Sequence, residues 1–154
     1  IDVDLVAAVA DHPKLVGMKD SSGDLTYFLD LVRRTGEGVH LYQGFDSQLV
    51  PAVSMGATGG INALTNVIPE ATAAAVEAAV GGERERARRL QLDHVAPLFE
   101  ACLDGGFAPA AKAGLVARGV LDDGAVRPPL VELEAAAAAT VGTAVERTVD
   151  ALAS

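Results

Sequence analysis

The run Leu15-Val16-Gly17-Met18-Lys19-Asp20-Ser21-Ser22-Gly23-Asp24 joins a short apolar stretch to one lysine and then turns at once through Asp, Ser and Gly. An apolar run of this length, bounded by turn residues, reads as a buried strand. Asp24 stands where it can cap a helix that begins at Leu25. The ammonium of a lysine at the tip of a buried strand is costly to desolvate, so it must be paired or hold its proton weakly. An amine that releases its proton readily can attack a carbonyl carbon and form a Schiff base. The alternative is a strand-end lysine that reaches into solvent, a common arrangement. With only Lys14 and Lys112 besides it, against nine arginines, Lys19 is the lysine whose position invites a chemical reading.

Other chemistries find less support. His12, His40 and His94 lie far apart, and no Cys, His or Asp cluster has metal-ligand spacing. They read as surface or satisfied core histidines. Gly56-Ala57-Thr58-Gly59-Gly60 lacks the Gly-Lys-Ser/Thr of a phosphate-binding loop and is not a GxGxxG. Ser21-Ser22 has no neighbouring histidine, and no GxSxG elbow occurs. Lys112 falls on an expected helix away from any strand end and reads as a salt-bridging lysine. Arg127-Pro128-Pro129 reads as a rigid turn, although an arginine there could bind a carboxylate. Cys102 is alone, which excludes a disulfide framework and fits a reducing compartment. A net charge of −9 argues against nucleic acid or an anionic membrane as partner. No apolar run approaches the ~18–20 residues of a membrane span, and no signal-peptide pattern opens the chain, so a cytoplasmic location is expected. The chain opens on Ile1 rather than methionine and reads as a processed product, an engineered piece or a fragment of a longer protein.

The elements that must position Lys19 follow in order. Residues 2–11 read as a helix with Leu5, Val6 and Val9 on one side, ended by Asp11-His12-Pro13. A strand at 15–19 is followed by a helix at 24–35, stopped by Gly36 and Gly38. Val39–Gln43 alternates as a second strand, and Gly44-Phe45-Asp46 follows as a loop in which Asp46 or Ser47 caps a helix at 47–55. A glycine-rich third strand spans 56–63, and Pro69 opens an alanine-rich helix to Val80, closed by Gly81-Gly82. Helix and strand alternate through short loops, which argues for a parallel sheet covered by helices. Beyond Gly82 only helices are expected, at 83–103 with Arg84, Arg86, Arg88 and Arg89 as a solvated face, at 109–118, and at 131–152.

Three parallel strands do not close a stable sheet alone, and a complete (β/α)8 barrel needs typically ~250 residues. The chain of 154 residues therefore reads as α/β: the last three βα units of such a barrel (residues 1–81) with a C-terminal helical annex (82–154). In barrels the reacting groups sit at the C-terminal strand ends. These ends offer Lys19 and Asp20; Gln43, Gly44 and Asp46; and Ile61, Asn62, Thr65 and Asn66. The glycines at 56–60 would admit a ligand or another backbone closely, or simply allow tight packing of a barrel strand.

These residues resemble a known family. Gly17-Met18-Lys19-Asp20-Ser21-Ser22-Gly23-Asp24 is similar to the Schiff-base lysine segment of the dihydrodipicolinate synthase / N-acetylneuraminate lyase family of class I aldolases. Gly44-Phe45-Asp46 resembles that family's Gly-x-Asp after the next strand. Gly56-Ala57-x-Gly59-Gly60-Ile61, followed by Asn66 and Pro69, resembles its last-strand pattern, and Lys112 with Arg127-Pro128-Pro129-Leu130 its helical domain. The resemblance implies a TIM barrel from its sixth strand onward. It implies that Lys19 forms an imine with pyruvate or a related 2-oxo acid, and that an aldehyde is the second substrate. It further implies that Gly44 and Ile61 line the substrate pocket, that no metal or organic cofactor is used, and that the full-length protein is a homo-oligomer, commonly a tetramer.

The departures also matter. The family's proton-relaying tyrosine and its carboxylate-binding Thr loop match no stretch of this chain, and Tyr27 and Tyr42 stand at non-matching positions. The 154 residues by themselves are therefore expected to bind pyruvate poorly and to turn over negligibly. Asn62 stands where lysine-pathway synthases usually carry Ser. The run Gly59–Asn66 and the Pro128-Pro129 pair resemble aldolases that cleave 4-hydroxy-2-oxoglutarate or 2-keto-3-deoxy sugar acids. The competing expectation is a non-catalytic half-barrel that serves only as a structural or interaction module.

Overall fold

The computed structural model describes residues 1–103 and 105–153. The barrel portion runs α1 (Val3–Val9), β1 (Gly17–Asp20), α2 (Leu25–Thr35), β2 (His40–Gln43), α3 (Leu49–Ser54), β3 (Gly59–Gly60) and α4 (Pro69–Val80). The three strands form one sheet in the order β1-β2-β3, every pair parallel. The annex begins with one continuous rod made of α5 (Arg84–Arg89), a π turn (Leu90–Val95) and α6 (Ala96–Leu103). It continues with α7 (Phe107–Ala117) and α8 (Ala135–Ala153). No helix of the described residues is long and apolar enough to cross a membrane.

Local chemistry explains most of these boundaries. The Asp24 carboxylate accepts the N–H groups of Thr26 (2.8 Å) and Tyr27 (3.2 Å), so two of the four orphan donors of α2 are satisfied as expected. Phe28, Leu31 and Thr35 form its buried stripe. Gly36 ends it with φ +58°, a conformation that disfavours side chains. Pro69 opens α4. Ala71, Ala75 and Ala78 are wholly buried on one face, where their small size lets neighbouring helices approach closely.

Several expectations need correction. On α1 only Val6 is buried, whereas Leu5 and Val9 are 59% and 43% exposed, because α1 packs on α2 through a single stripe. β1 is not a buried strand: among the described residues it pairs on one side only, and Val16 and Lys19 are exposed. β3 shrinks from 56–63 to two residues, since Gly56 at φ +113° bends the chain before it. The ladder nevertheless continues on both sides, from Thr58 N–H to Leu41 O (2.7 Å) and from Ile61 N–H to Gln43 O (3.0 Å). Neither Asp46 nor Ser47 caps α3. A 3-10 turn at Asp46–Gln48 precedes that helix, and the Asp46 side chain is spent on the next loop. The last helix starts at Ala135 rather than 131, after an extended stretch that includes a cis Pro128–Pro129 bond. The four arginines of α5 are exposed, as their spacing suggests.

Packing crosses the junction at residue 82. One core joins Leu64, Val67, Ile68 and Ala71 of the barrel portion to Val95, Leu98, Phe99, Cys102, Ala110, Val141 and Val145 of the annex. A second core, with Phe28, Leu31, Leu41 and Leu49 at its centre, lies between the sheet and its own helices. Arg118, at the end of α7, reaches back across the junction. It donates to Val67 O (2.6 Å) and to both carboxylate oxygens of Glu70 (2.9 and 2.8 Å). Glu70 is half exposed, so most of the value lies in the bond to the carbonyl. Arg118→Ala is expected to cost about 1–2 kcal/mol, read as a lower urea midpoint with an unchanged slope.

Candidate active site

Register decides which side chains share a face. Lys19, Tyr42 and Gly59 are mutual Cα partners across the three strands, and Asp20, Gln43 and Gly60 form the next row. Strand side chains alternate, so Lys19, Tyr42, Gly44, Gly59 and Ile61 lie on one face and Asp20, Gln43, Gly60 and Asn62 on the other. Burial follows this division. Asp20, Gln43 and Asn62 are buried toward the helices, whereas Lys19 is exposed and Ile61 is 52% exposed. The structure thus places Lys19, Gly44 and Ile61 on the same face at the C-terminal strand ends. The described residues supply one open wall of a site rather than an enclosed pocket. Lys19 is exposed on that open wall rather than enclosed at a buried strand end.

Gly44 stands beside the Lys19 side chain. Its N–H donates to Asp20 O (2.6 Å), which ties the start of the β2–α3 loop to the end of β1. A Cβ at position 44 would lie 2.6 Å from Lys19 Cε and 2.7 Å from Asp20 O, and it would also overlap Ser21 Oγ. The lysine side chain therefore runs across the bare backbone of Gly44 and occupies the space a methyl group would need.

Behind this wall lies a buried polar layer of which the sequence named only part. Asp46 is 1% exposed, and its Oδ1 accepts the Leu64 N–H at 3.1 Å. It thereby locks the loop after β2 to the loop after β3. Burial pushes its carboxyl up to about 6, opposed by backbone N–H groups of Leu64, Asp46 and Ala63 and by the nearby Lys19 charge. Gln43 accepts the Phe45 N–H (2.8 Å) and donates to Gln48 (3.3 Å), which in turn donates to Gly23 O (2.6 Å). Asp20 Oδ1 accepts the Ser22 N–H (2.8 Å). Asp20 Oδ2 and both amide atoms of Asn62 have no hydrogen-bond partner among the described residues. Burial, with the Asp46 charge second, pushes the Cys102 thiol up to about 11, so it is no nucleophile near neutrality.

The Asp46 shift carries a pH consequence. A folded value raised above the ordinary 3.8 means that the folded chain binds this proton more tightly than the unfolded chain. The stability it contributes is full below about pH 4 and is lost as pH rises through about 6. Asp46→Asn removes this titration. Between pH 4 and 8 the wild-type protein is expected to lose roughly 1–3 kcal/mol relative to the variant, as read from urea midpoints at the two pH values.

The remaining candidates lie elsewhere. Among the described residues Lys112 forms no ion pair but donates to Ala125 O in the loop before α8, where its charge ties down backbone. His12 and His40 make local contacts with the Lys14 N–H (3.2 Å) and Thr58 Oγ1 (3.4 Å). A cavity of about 630 Å³ between α7, α8 and their connection is lined by residues such as Ala113, Ala139 and Gly142, and contains none of Lys19, Gly44 or Ile61. Sequence reasoning missed Gln91, which is 4% exposed in the π turn. Its Nε2 donates to Asp46 O (3.1 Å) and its Oε1 accepts the Val50 N–H (3.0 Å).

Comparison with known proteins bears on the family and the fold. The family model for the dihydrodipicolinate synthetase family matches residues 1–148. A 4-hydroxy-tetrahydrodipicolinate synthase from an Exiguobacterium species is 35% identical over 142 residues, covering 92% of this chain and 48% of the relative. A 4-hydroxy-tetrahydrodipicolinate synthase from Streptomyces coelicolor is 38% identical over 132 residues, covering 84% and 42%. The solved 4-hydroxy-tetrahydrodipicolinate synthase of Methylacidiphilum fumariolicum superposes with a TM-score of 0.89 at 27% identity, over 99% of this chain and 51% of that one. The chain thus spans about half the length of the relatives it matches. The three-stranded parallel sheet with its helices is part of a (β/α)8 barrel with a C-terminal helical annex. With a family model matched along nearly its whole length, the chain belongs to the dihydrodipicolinate synthetase family.

Proposed function

We propose that the full-length protein is a pyruvate-dependent class I aldolase in which Lys19 carries the chemistry. The observation that supports this most directly is the path of the Lys19 side chain across Gly44 at the C-terminal strand ends. The lysine amine attacks the C2 carbonyl of pyruvate, and water leaves to give an imine. Loss of a C3 proton converts the imine to an enamine, with the positive nitrogen as electron sink. The enamine carbon adds to an aldehyde, and hydrolysis releases the product and restores Lys19. The reverse sequence cleaves a C–C bond.

Gly44 leaves room for the lysine to reach the carbonyl carbon, and Ile61 offers an apolar surface beside it. No metal or organic cofactor takes part in this scheme. Residues 1–81 supply the barrel wall and 82–154 the annex that holds it. The protein acts in the cytoplasm as a homo-oligomer. The names of the relatives favour 4-hydroxy-tetrahydrodipicolinate synthase over a 4-hydroxy-2-oxoglutarate or 2-keto-3-deoxy sugar acid aldolase. A panel of aldehydes tested with pyruvate distinguishes these activities.

The deciding experiment is borohydride reduction of the full-length protein in the presence of pyruvate, followed by peptide mass mapping. The expected result is a stable adduct on Lys19. No adduct, or one that persists in Lys19→Ala, would leave the half-barrel as a structural or interaction module.

A further inference from the structure

We propose that Gln91, in the π turn of the annex, is a positioning residue for the imine site, holding the loop that presents Gly44 to Lys19. This rests on the aldolase reading above. Gly44, Phe45 and the side chains of Asp46 and Gln48 tie the loop Gly44–Gln48 to β1, Gln43, Leu64 and Gly23. The 3-10 turn at Asp46–Gln48 nevertheless has no side-chain cap, and α3 begins at Leu49 with none either. Gln91 supplies what is missing. Its amide nitrogen holds the carbonyl of Asp46, and its amide oxygen takes the Val50 N–H, one of the orphan donors in the first turn of α3. One planar, buried group thus fixes both ends of the short segment that follows Gly44.

The π turn makes this possible. The Ala96 N–H reaches back to Gln91 O, five residues away, where an α-helix would reach four. The extra residue resets the phase of the rod. Ala87 and Leu90, the latter the first residue of the turn, pack against Ala75 and Ala78. Val95, Leu98, Phe99 and Cys102 further along the rod enter the shared core. Gln91 sits in the turn between the two runs and faces the β2–α3 loop. Phe45, next to Gly44, packs on Phe99 of the same rod (ring centroids 5.6 Å apart), a second hold from the annex on this loop. Asp46 then carries the constraint to the β3 loop through Leu64 N–H.

The test uses the full-length protein and the rate of borohydride trapping with pyruvate, expressed per folded molecule at a temperature where circular dichroism shows each variant folded. Gln91→Met keeps the volume and removes both hydrogen bonds. It is expected to slow trapping about tenfold and to raise KM for pyruvate more than it lowers kcat. Val141→Ala, on α8 in the shared core, lowers stability by deleting buried methyl groups but leaves both Gln91 hydrogen bonds in place, and is expected to leave the trapping rate unchanged. If Gln91→Met does not fold, Gln91→Glu retains the acceptor for Val50 N–H and loses the donor to Asp46 O, and the same slowing is expected. A Gln91 variant that is folded, less stable and traps at the wild-type rate would overturn the positioning role. So would an equal slowing in Val141→Ala. Failure of the wild-type protein to trap at Lys19 would overturn the aldolase reading instead.

Discussion

Lys19→Ala in the full-length protein is expected to reduce aldol turnover by on the order of 10⁴-fold or more while leaving the fold intact. The two halves of this expectation have separate causes. The chemical half follows because no other amine in the described residues stands in the Lys19 row: its register partners are Tyr42 and Gly59. Lys14 and Lys112 lie before β1 and on α7, respectively. The structural half follows from exposure. Lys19 is exposed at the edge strand of the described sheet, so removing its side chain uncovers little core. Lys19→Arg is expected to be as inactive as the alanine variant, because a guanidinium keeps its charge and is no nucleophile near neutral pH. Steady-state rates with pyruvate and a range of aldehydes, beside thermal melts of all three proteins, check both halves. A variant that keeps a tenth of the wild-type rate would remove Lys19 from the mechanism.

Gly44→Ala carries the second largest expected effect, and its cause is steric. The added methyl would stand 2.6 Å from Lys19 Cε and 2.7 Å from the backbone oxygen of Asp20, and would overlap Ser21 Oγ. Ser21 is exposed and can turn away, and the lysine chain can bend. The Asp20 carbonyl cannot move so freely, because it accepts the Gly44 N–H at 2.6 Å and belongs to the paired end of β1. The loop must therefore shift or the lysine must leave its path. A stability loss of about 1–3 kcal/mol is expected, together with a fall in kcat/KM of roughly 10²-fold, since small displacements of a reacting group cost that much. Unfolding midpoints and borohydride trapping measured on the same preparation separate the two effects. Trapping at the wild-type rate would show that position 44 does not govern the path of the lysine.

Much of this arrangement was legible in the sequence because it depends on local rules. Asp24 as a cap, Gly36 as a stop and Pro69 as an opening are decided within a turn of chain, and each stands where expected. The helix–strand alternation implied parallel pairing, and with it Lys19, Gly44 and Ile61 at the same end of the sheet, whereas their common face is set by the register. What was not legible depends on partners far along the chain. Asp46 looked like a helix cap because its neighbours suit one, but an N–H eighteen residues on, at Leu64, claims its carboxylate. Gln91 falls inside the helix expected at 83–103, and only the π turn makes it a buried bridge to a loop more than forty residues away. The strand of Lys19 reads as buried because it is apolar, yet apolar composition does not reveal whether a strand is paired on both edges, and Lys19 takes the solvent-reaching alternative.

The core shared across residue 82 bears on how this architecture can be recombined. Leu64, Val67, Ile68 and Ala71 belong to the barrel portion by sequence order, but they make their apolar contacts with the annex. Gly114 of α7 has no room for a Cβ against Val67 Cγ1, 2.6 Å away, so the two surfaces have to match at the level of single methyl groups. An annex exchanged between two relatives with the cut at 81/82 would meet a foreign surface at Val67. A cut upstream of Leu64 would carry both sides of this core together and leave only the contacts of Gln91 and Phe99 with Phe45, Asp46 and Val50 to be matched. The transferable block is thus the annex with the loop and helix that follow β3, and chimaeras joined before Leu64 are the ones expected to fold.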